Sequence, residues 1–326
     1  GDHRDLHSFP TRRSSDLIVV LIFGVETAGG IGAVIHNASE LPGYLSMTLS
    51  YDVNTGKAAP YSALTIVSTA AWGLGYFGMP HILLRFMAIE DEKKLKLSRR
   101  VATIWVVISL FVAVFIGVIG YTMSKVGALE MLTGSNSETI IVKISALLSQ
   151  HGVIFALLAG VILAGILAST MSTSDSQLLA ASSAVSSDIL GAFRKDSSNK
   201  NGSMAAARIT LLVISVVAAF IARNPDSSVF AIVSFAWAGF GAAFGPVVLF
   251  SLFWKRTNKW GALAGMVCGG SMVFIWKYLI RPLGGIWNIY ELLPAFIVAC
   301  IAIVAVSLMT EAPSKEICDE YDSVGR

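Results

Sequence analysis

The sequence of 326 residues is 55% hydrophobic and only 14% charged, with a mean hydropathy of +0.70 and a formal net charge of +3. An ordinary soluble domain is about 45–50% apolar and about 25% charged, so a soluble two-domain enzyme would lack the polar surface it needs. The apolar content also excludes a disordered chain, and the small net charge leaves no electrostatic footprint for nucleic acid. The class that remains is a protein that crosses the lipid bilayer several times.

Residues 1–17 differ from the rest of the chain, because they are polar and the apolar sequence begins abruptly at Ile18. They lack the apolar core of a secretory signal peptide. Residues 8–17, SFPTRRSSDL, resemble the translation of a short-read sequencing adapter. We therefore expect residues 1–17 to be adapter-derived, with a natural polar N-terminus as the alternative, and the fold prediction starts at Ile18.

Eight apolar stretches are long enough to cross a hydrocarbon core, which takes about 20 residues of helix. None alternates as a barrel strand does, and backbone groups in lipid need internal partners, so we predict an all-α membrane protein. The stretches lie at 18–36, 63–84, 101–123, 153–176, 207–223, 229–254, 261–280 and 289–309. The small residues that follow the fourth stretch are expected to continue its helix to Leu190.

Lysine and arginine are concentrated in every second loop of this arrangement. They cluster in residues 85–100, 194–208 and 255–259, and the intervening loops carry far fewer. Because cytoplasmic loops are enriched in positive charge, we expect these loops, and a tail over residues 310–326, to be cytoplasmic.

Two long loops are expected on the opposite side of the membrane. Residues 37–61 are rich in small and polar residues and are predicted to be irregular. Residues 126–150 carry apolar side chains at helical spacing, from Ile140 to Leu148, which predicts an amphipathic helix. That helix either lies on the membrane surface or packs on the bundle as a lid.

The second span contains three glycines and a proline within the nine residues Trp72–Pro80. Glycine weakens a helix interior, and proline removes a backbone donor. The segment predicts either close helix packing or an interrupted helix whose freed backbone groups bind an ion or a zwitterion. Trp72 and Tyr76 are four residues apart and share a helix face, with Pro80 one turn later, so they are suited to enclose a small apolar ring.

The fourth span contains a dense run of hydroxyls, from Ser169 to Gln177. Hard cations prefer oxygen ligands, and Ser169, Ser172 and Thr173 project from one helix face. The alternative is that these hydroxyls bond back to carbonyls one turn earlier. Asp175 is either a functional acid within the span or a hydrated residue at the cytoplasmic mouth.

The remaining features have structural interpretations. The sixth span, FAWAGFGAAFGP over residues 235–246, predicts close packing through small residues, with a hinge at Gly245–Pro246 as the second interpretation. Glu291 and Pro294, which open the last span, are interpreted as structural. The three cysteines fit no metal-binding spacing and are interpreted as small apolar fillers.

Three strings, in this order, resemble the sodium/solute symporter family. They are WGLGYFGMPHILLRFMA (72–88), STMSTSDSQLLAASSA (169–184) and SFAWAGFGAAFGPVVLFSLFWKRTNKWGALAGM (234–266). The resemblance runs from about Ile18 to the tail and is greatest to members that carry proline with sodium. It implies a leucine-transporter-type inverted-repeat fold, here partial. Residues 18–309 would then hold the last helix of the first repeat, the whole second repeat and two extra helices.

The resemblance also implies an activity, the import of L-proline driven by one sodium ion, for a protein of which this chain is an incomplete fragment. It implies that Trp72, Tyr76 and Pro80 contact proline. Sodium would be bound by the hydroxyls of Ser172 and Thr173 and by the carbonyl of Ser169, with Asp175 as an extra acidic neighbour.

Three other functions compete with this expectation. The substrate could be another amino acid, a sugar or a carboxylate carried by the same family. A transporter-like sensor would need a kinase domain, for which the tail after Met309 is too short. A membrane enzyme would need clustered His, Asp or Cys in the spans. We expect no enzymatic activity, no obligate protein partner and a place in the bacterial plasma membrane.

Overall fold

The computed structural model describes residues 9–52, 55–87, 89, 91–189, 200–223 and 228–324. These residues are mostly helical and fall into two compact units, one over residues 1–40 and 100–229 and the other over residues 41–99 and 230–326. Each unit has its own hydrophobic core.

Thirteen α-helices and two strands are described. In chain order they are α1 (Phe9–Thr27), α2 (Ile31–Ser39), β1 (Leu49–Asp52), β2 (Lys57–Pro60), α3 (Ala63–Ala70), α4 (Trp72–Gly75), α5 (Pro80–Met87), α6 (Leu95–Lys125), α7 (Ile140–Ser149), α8 (Val153–Ser183), α9 (Lys200–Ile221), α10 (Val229–Phe253), α11 (Lys259–Ile275), α12 (Leu292–Met309) and α13 (Lys315–Val324). A π-helical segment over residues 184–189 continues α8, as the sequence predicts. Leu190, the last residue of the predicted continuation, lies outside the described residues.

Among the described residues, five helices are long and apolar enough to cross a membrane, or six if a bent pair near the N-terminus forms one span. They lie at 95–125, 153–186, 229–253, 259–283 and 292–309. In each of the two helices at 95–125 and 153–186, only 11% of the most apolar stretch is buried within the protein. Apolar surface of this extent is typical of contact with lipid, and the prediction of an all-α membrane protein is confirmed.

The remaining predicted spans are also helical, but their continuous apolar helices are shorter. The fifth stretch, predicted at 207–223, overlaps α9, which ends at Ile221 and whose apolar part is the shorter segment Ala205–Ile221. The second stretch, at 63–84, is divided among three short helices, α3, α4 and α5.

The first span, predicted at 18–36, is not one continuous helix. Its two parts, α1 and α2, meet at an angle of 76°. Gly29 and Gly30 lie at the bend with φ of 90° and 94°, a backbone conformation that glycine adopts readily and other residues avoid. Helix α1 also starts at Phe9, within residues 1–17, which are predicted to be adapter-derived.

The core of the first unit joins α1, α6, α7 and α8. Gly24 permits a close approach of α1 to α6, because a Cβ atom there would lie 2.7 Å from the Cγ2 atom of Ile119. On α7, Ile144 and Leu148 are fully buried. Of the two interpretations offered for this amphipathic helix, packing against the bundle is therefore the one that the structure shows.

The loop over 37–61, predicted to be irregular, contains a small β-hairpin, which lies in the second unit. Strands β1 and β2 pair antiparallel, with Tyr51 opposite Ala58. Gly56, with φ of 66°, lies in the turn, and the Asp52 carboxylate accepts a hydrogen bond of 2.8 Å from the Thr55 hydroxyl. Side-chain bonds of this kind stabilise turns, which explains how polar residues form a hairpin here.

Helices α11 and α12 approach each other through glycines. Gly261 and Gly265 face α12, where an added Cβ would lie 1.9 Å from the Ser307 Oγ atom or 2.4 Å from the Ile303 side chain. Gly269, one turn further, faces the Ala242 carbonyl of α10. Small residues spaced four apart allow such close contact between membrane helices.

An ion pair fixes the segment that connects α11 to α12. An Arg281 Nη1 donates to the Glu291 carboxylate at 2.9 Å, and the Arg281 Nε donates to Asn288 at 3.0 Å. The Glu291 side chain is only 2% exposed, whereas that of Arg281 is 40% exposed. The carboxylate therefore depends on this partner, because a buried charge without a partner is costly.

Removing the arginine should destabilise the fold more than neutralising the acid. We expect Arg281→Ala to lower the free energy of unfolding in detergent by about 3 kcal/mol, because it leaves a buried carboxylate without its cation. Glu291→Gln should cost less, because the Arg281 head group reaches solvent. Lys143→Ala, which breaks an exposed ion pair with Glu130, is the control and should change little. Equal losses for the three variants would contradict this interpretation.

Candidate functional site

The helix of the second predicted span is interrupted next to Pro80. After α4 the chain forms a 3-10 turn over Tyr76–Gly78, and Met79 is extended, with φ −84° and ψ 111°. Pro80 is the first residue of α5, a position that proline favours because its missing N–H has no helical partner there. The prediction of an interrupted helix is confirmed.

Five aromatic residues cluster around this break, Trp72, Tyr76, Phe230, Trp237 and Tyr290, and form what we call the aromatic cluster. The Trp72 ring stacks with Phe230, Trp237 and Tyr290 at centroid distances of 5.4, 5.9 and 5.7 Å. The Tyr76 ring meets Trp237 edge-on at 4.8 Å. Offset-stacked and edge-on arrangements are the favourable geometries for aromatic rings.

Trp237 links α10 to the backbone of the broken helix. Its indole Nε1 donates a hydrogen bond of 3.0 Å to the Trp72 carbonyl. Within the same chain segment, Pro80 has no N–H and cannot donate to the Tyr76 carbonyl, so the α-helical ladder ends here. A donor from a neighbouring helix thus supports the backbone just before the ladder stops.

Four glycines bring the broken helix and α10 into backbone contact, and we call this contact the glycine crossing. A Cβ on Gly78 would lie 2.3 Å from the Phe240 carbonyl oxygen, and one on Gly241 would lie 2.7 Å from the Gly75 Cα. A Cβ on Gly245 would lie 2.9 Å from the Phe296 ring and 3.4 Å from the Leu74 carbonyl oxygen. Close packing, the other interpretation of both segments, therefore also holds.

The glycine crossing predicts that alanine substitutions at Gly78 and at the nearby Gly73 have very different effects on stability. We expect Gly78→Ala to destabilise the protein by about 1–3 kcal/mol, because the methyl group meets backbone atoms that no rotamer change can move. Gly73→Ala is the matched control, since nothing lies within 4 Å of a Cβ there, and it should be neutral or slightly stabilising. Thermal unfolding in detergent, with near-UV circular dichroism to report the aromatic cluster, distinguishes the two. Equal effects would contradict the crossing.

The three residues predicted to contact proline lie along this broken helix. Trp72 is half-buried in the aromatic cluster, Tyr76 is 54% exposed at its edge, and Pro80 is exposed just beyond the break. Trp237 contacts both Trp72 and Tyr76. An apolar ring surface beside a broken helix offers both stacking area and backbone polar groups.

The residues predicted to bind sodium lie on α8, in the first unit. The Thr173 hydroxyl donates to the Ser169 carbonyl at 3.1 Å, so two of the predicted ligand oxygens are adjacent. Ser169 is half-buried, whereas Ser172, Thr173 and Asp175 are exposed.

The alternative interpretation of this hydroxyl run, bonding back to the helix, also holds for several members. The Thr170 hydroxyl donates to the Ile166 carbonyl at 2.9 Å, and the Ser176 hydroxyl donates to the Thr173 carbonyl at 2.8 Å. In each case the hydroxyl proton is occupied and the oxygen keeps a lone pair for a ligand.

Sequence reasoning missed three members of the aromatic cluster, Phe230, Trp237 and Tyr290. Trp237 lies in a string interpreted only as packing, although a tryptophan among small residues on a close-packed helix is itself a signal of a specific contact. Tyr290 carries no comparable signal, because its role depends on contacts with Ser68 and Ser234, which are distant in sequence.

Comparison with known proteins places this architecture in a family. The model of the sodium:solute symporter family matches residues 16–269. The osmoregulated proline transporter OpuE of Bacillus subtilis is 37% identical over 299 residues, which cover 92% of this chain and 57% of that protein. The sodium/proline symporters of Haemophilus influenzae and Escherichia coli are each 40% identical over 261 and 252 residues, covering 79% and 77% of this chain and 51% and 48% of those proteins. The chain spans about half the length of the curated relatives it matches.

Proposed function

The chain belongs to the sodium:solute symporter family, and from this we propose that it is part of a membrane transporter that imports L-proline together with sodium. The observation that carries the proposal is the interrupted helix with Trp72 and Tyr76 at its break, found in a chain whose relatives are named proline transporters. The transporter is a symporter and has no enzymatic role.

The organisation of the longer protein is part of the same proposal. Residues 18–309 correspond to the last helix of the first repeat, the second repeat and two extra helices, and residues 310–326 form a cytoplasmic tail. The clustering of Lys and Arg in alternate loops supports this orientation in a bacterial plasma membrane. Residues 1–17 stand apart as adapter-derived sequence, and the genomic sequence upstream of Ile18 tests this directly.

Proline is a small zwitterion with an apolar ring. In the proposed site its ring lies against Trp72 and Tyr76, next to Pro80, and its charged groups face the backbone at the helix break. The exposed Tyr76 ring supports this placement, because it leaves a free aromatic surface beside the cluster.

Sodium binding is proposed at the hydroxyl run of α8. The Ser169 carbonyl and the Thr173 hydroxyl, 3.1 Å apart, give two hard oxygen ligands, and Ser172 gives a third on the same face. Asp175 lies three residues after Ser172 on the same helix and adds negative charge that attracts the cation. Since each unit charge crossing 100 mV is worth about 2.3 kcal/mol, one sodium ion per cycle can drive more than tenfold accumulation of proline.

The sodium site is tested in the full-length transporter that contains this sequence. Ser172→Ala combined with Thr173→Ala should raise the sodium concentration that gives half-maximal proline uptake, because two ligand oxygens are lost. Thr170→Ala is the matched control, since it removes a hydroxyl from the same helix that is outside the proposed ligand set. Unchanged sodium dependence in the double variant would rule out this site.

The substrate is tested in the same preparation by competition. Unlabelled proline should displace radiolabelled proline, while sugars and other carboxylates should not, and Trp72→Phe should raise the KM for proline through loss of stacking area. Displacement by another family substrate at lower concentration than proline would assign the transporter to that substrate instead.

A further inference from the structure

Tyr290, in the segment before α12, joins three elements around the broken helix. Its backbone N–H donates to the Ser68 hydroxyl of α3 at 3.1 Å, and its phenol donates to the Ser234 carbonyl of α10 at 2.6 Å. Its ring stacks on Trp72 with an interplanar angle of 14°. The residue is only 7% exposed, so one side chain meets α4 and α10 at once.

The position of Tyr290 is itself fixed by contacts of the residues next to it in the chain. The next residue, Glu291, is the buried partner of Arg281, and Arg281 also holds Asn288. The Trp276 indole donates to the Ile289 carbonyl at 3.2 Å. The segment carrying Tyr290 is thus bonded on both sides of it and presents the phenol ring from a rigid support.

Besides Tyr290, Phe230 and Trp237 stack on the Trp72 ring, and Trp237 also donates to the Trp72 carbonyl. It begins the four-residue helix α4, and the regular ladder ends within two turns, at Met79. The orientation of the Trp72 ring therefore depends on the rings that stack on it, and Tyr290 connects this stack to α10 through its phenol and to α3 through its N–H.

We propose that Tyr290 is a positioning residue for substrate binding, which holds the Trp72 ring in the orientation that receives the apolar ring of the substrate. This inference rests on the proposed function. It assigns a part in substrate affinity to the segment before α12, which lies outside the two proposed repeats.

The first test uses Tyr290→Phe in the full-length transporter. This variant keeps the stacking ring and removes only the 2.6 Å hydrogen bond. The KM for proline should rise about fivefold, while the maximal rate and the half-maximal sodium concentration stay unchanged. Tyr278→Phe is the matched control, because it makes the same chemical change at a side chain that is 62% exposed. A loss of maximal rate or membrane amount at unchanged KM would show a merely structural role and overturn the proposal.

The pairing with Trp72 is tested by a double-mutant cycle. If Tyr290 acts through Trp72, the effects of Tyr290→Phe and Trp72→Phe on the proline KM should be smaller in combination than their sum. Additive effects would overturn the proposal.

A spectroscopic measurement separates this inference from the proposed function. In protein labelled with 5-fluorotryptophan, the ¹⁹F resonance of Trp72 is identified by its loss in Trp72→Phe, and it should shift in Tyr290→Phe but not in Tyr278→Phe. No shift would overturn the positioning role whatever the transport result. A shift, in a transporter whose proline KM does not respond to Trp72→Phe, would overturn the proline site, and with it the part of this proposal that concerns substrate.

Discussion

The backbone contact between the broken helix and α10 is the constraint on which the second unit depends. At Gly75, Gly78 and Gly241 the distances leave no room for a methyl group, so the two segments meet main chain to main chain. This contact brings Trp237 beside Trp72 and Tyr76, and it places an indole donor at the Trp72 carbonyl. Because these glycines have no side chains, the two segments come close enough for the rings of the aromatic cluster to meet.

Glycines also allow close contact between the neighbouring helices α10, α11 and α12. Gly269 of α11 faces the Ala242 carbonyl of α10, and Gly261 and Gly265 face α12. In lipid no hydrophobic effect drives helices together, so close van der Waals contact has to supply the attraction. Polar contacts appear at the end of the helices, where the Arg281–Glu291 pair and Tyr290 fix the segment before α12.

Hydropathy and residue type predicted much of this architecture. The broken helix was predictable, because three glycines and a proline within the nine residues Trp72–Pro80 oppose a continuous helix. The bend at Gly29–Gly30 was not predicted, since two glycines inside an apolar run are equally compatible with packing. The hairpin of residues 49–60 was missed because polar, turn-rich sequence looks irregular until its strands pair.

The candidate sites show the same limit of sequence reasoning. Trp72 and Tyr76 were identified because they are four residues apart, so helix geometry alone places them together. Tyr290 was not, because its contacts with Ser68 and Trp72 join positions more than two hundred residues apart. On α8, spacing predicted a shared face, but only the structure shows that the Thr173 hydroxyl already donates to the Ser169 carbonyl.

The hydrogen bonds at the broken helix also set an order for biosynthesis. The Trp72 carbonyl accepts its hydrogen bond from a residue 165 positions later in the chain, and the Ser68 hydroxyl accepts one from a residue 222 positions later. At about 5–20 residues per second, a ribosome takes of order ten seconds or more to deliver Tyr290 after Ser68. During that interval the interrupted helix has entered the membrane without its final support. Slower synthesis between α5 and α12 therefore lengthens the time for which the broken helix lacks these partners.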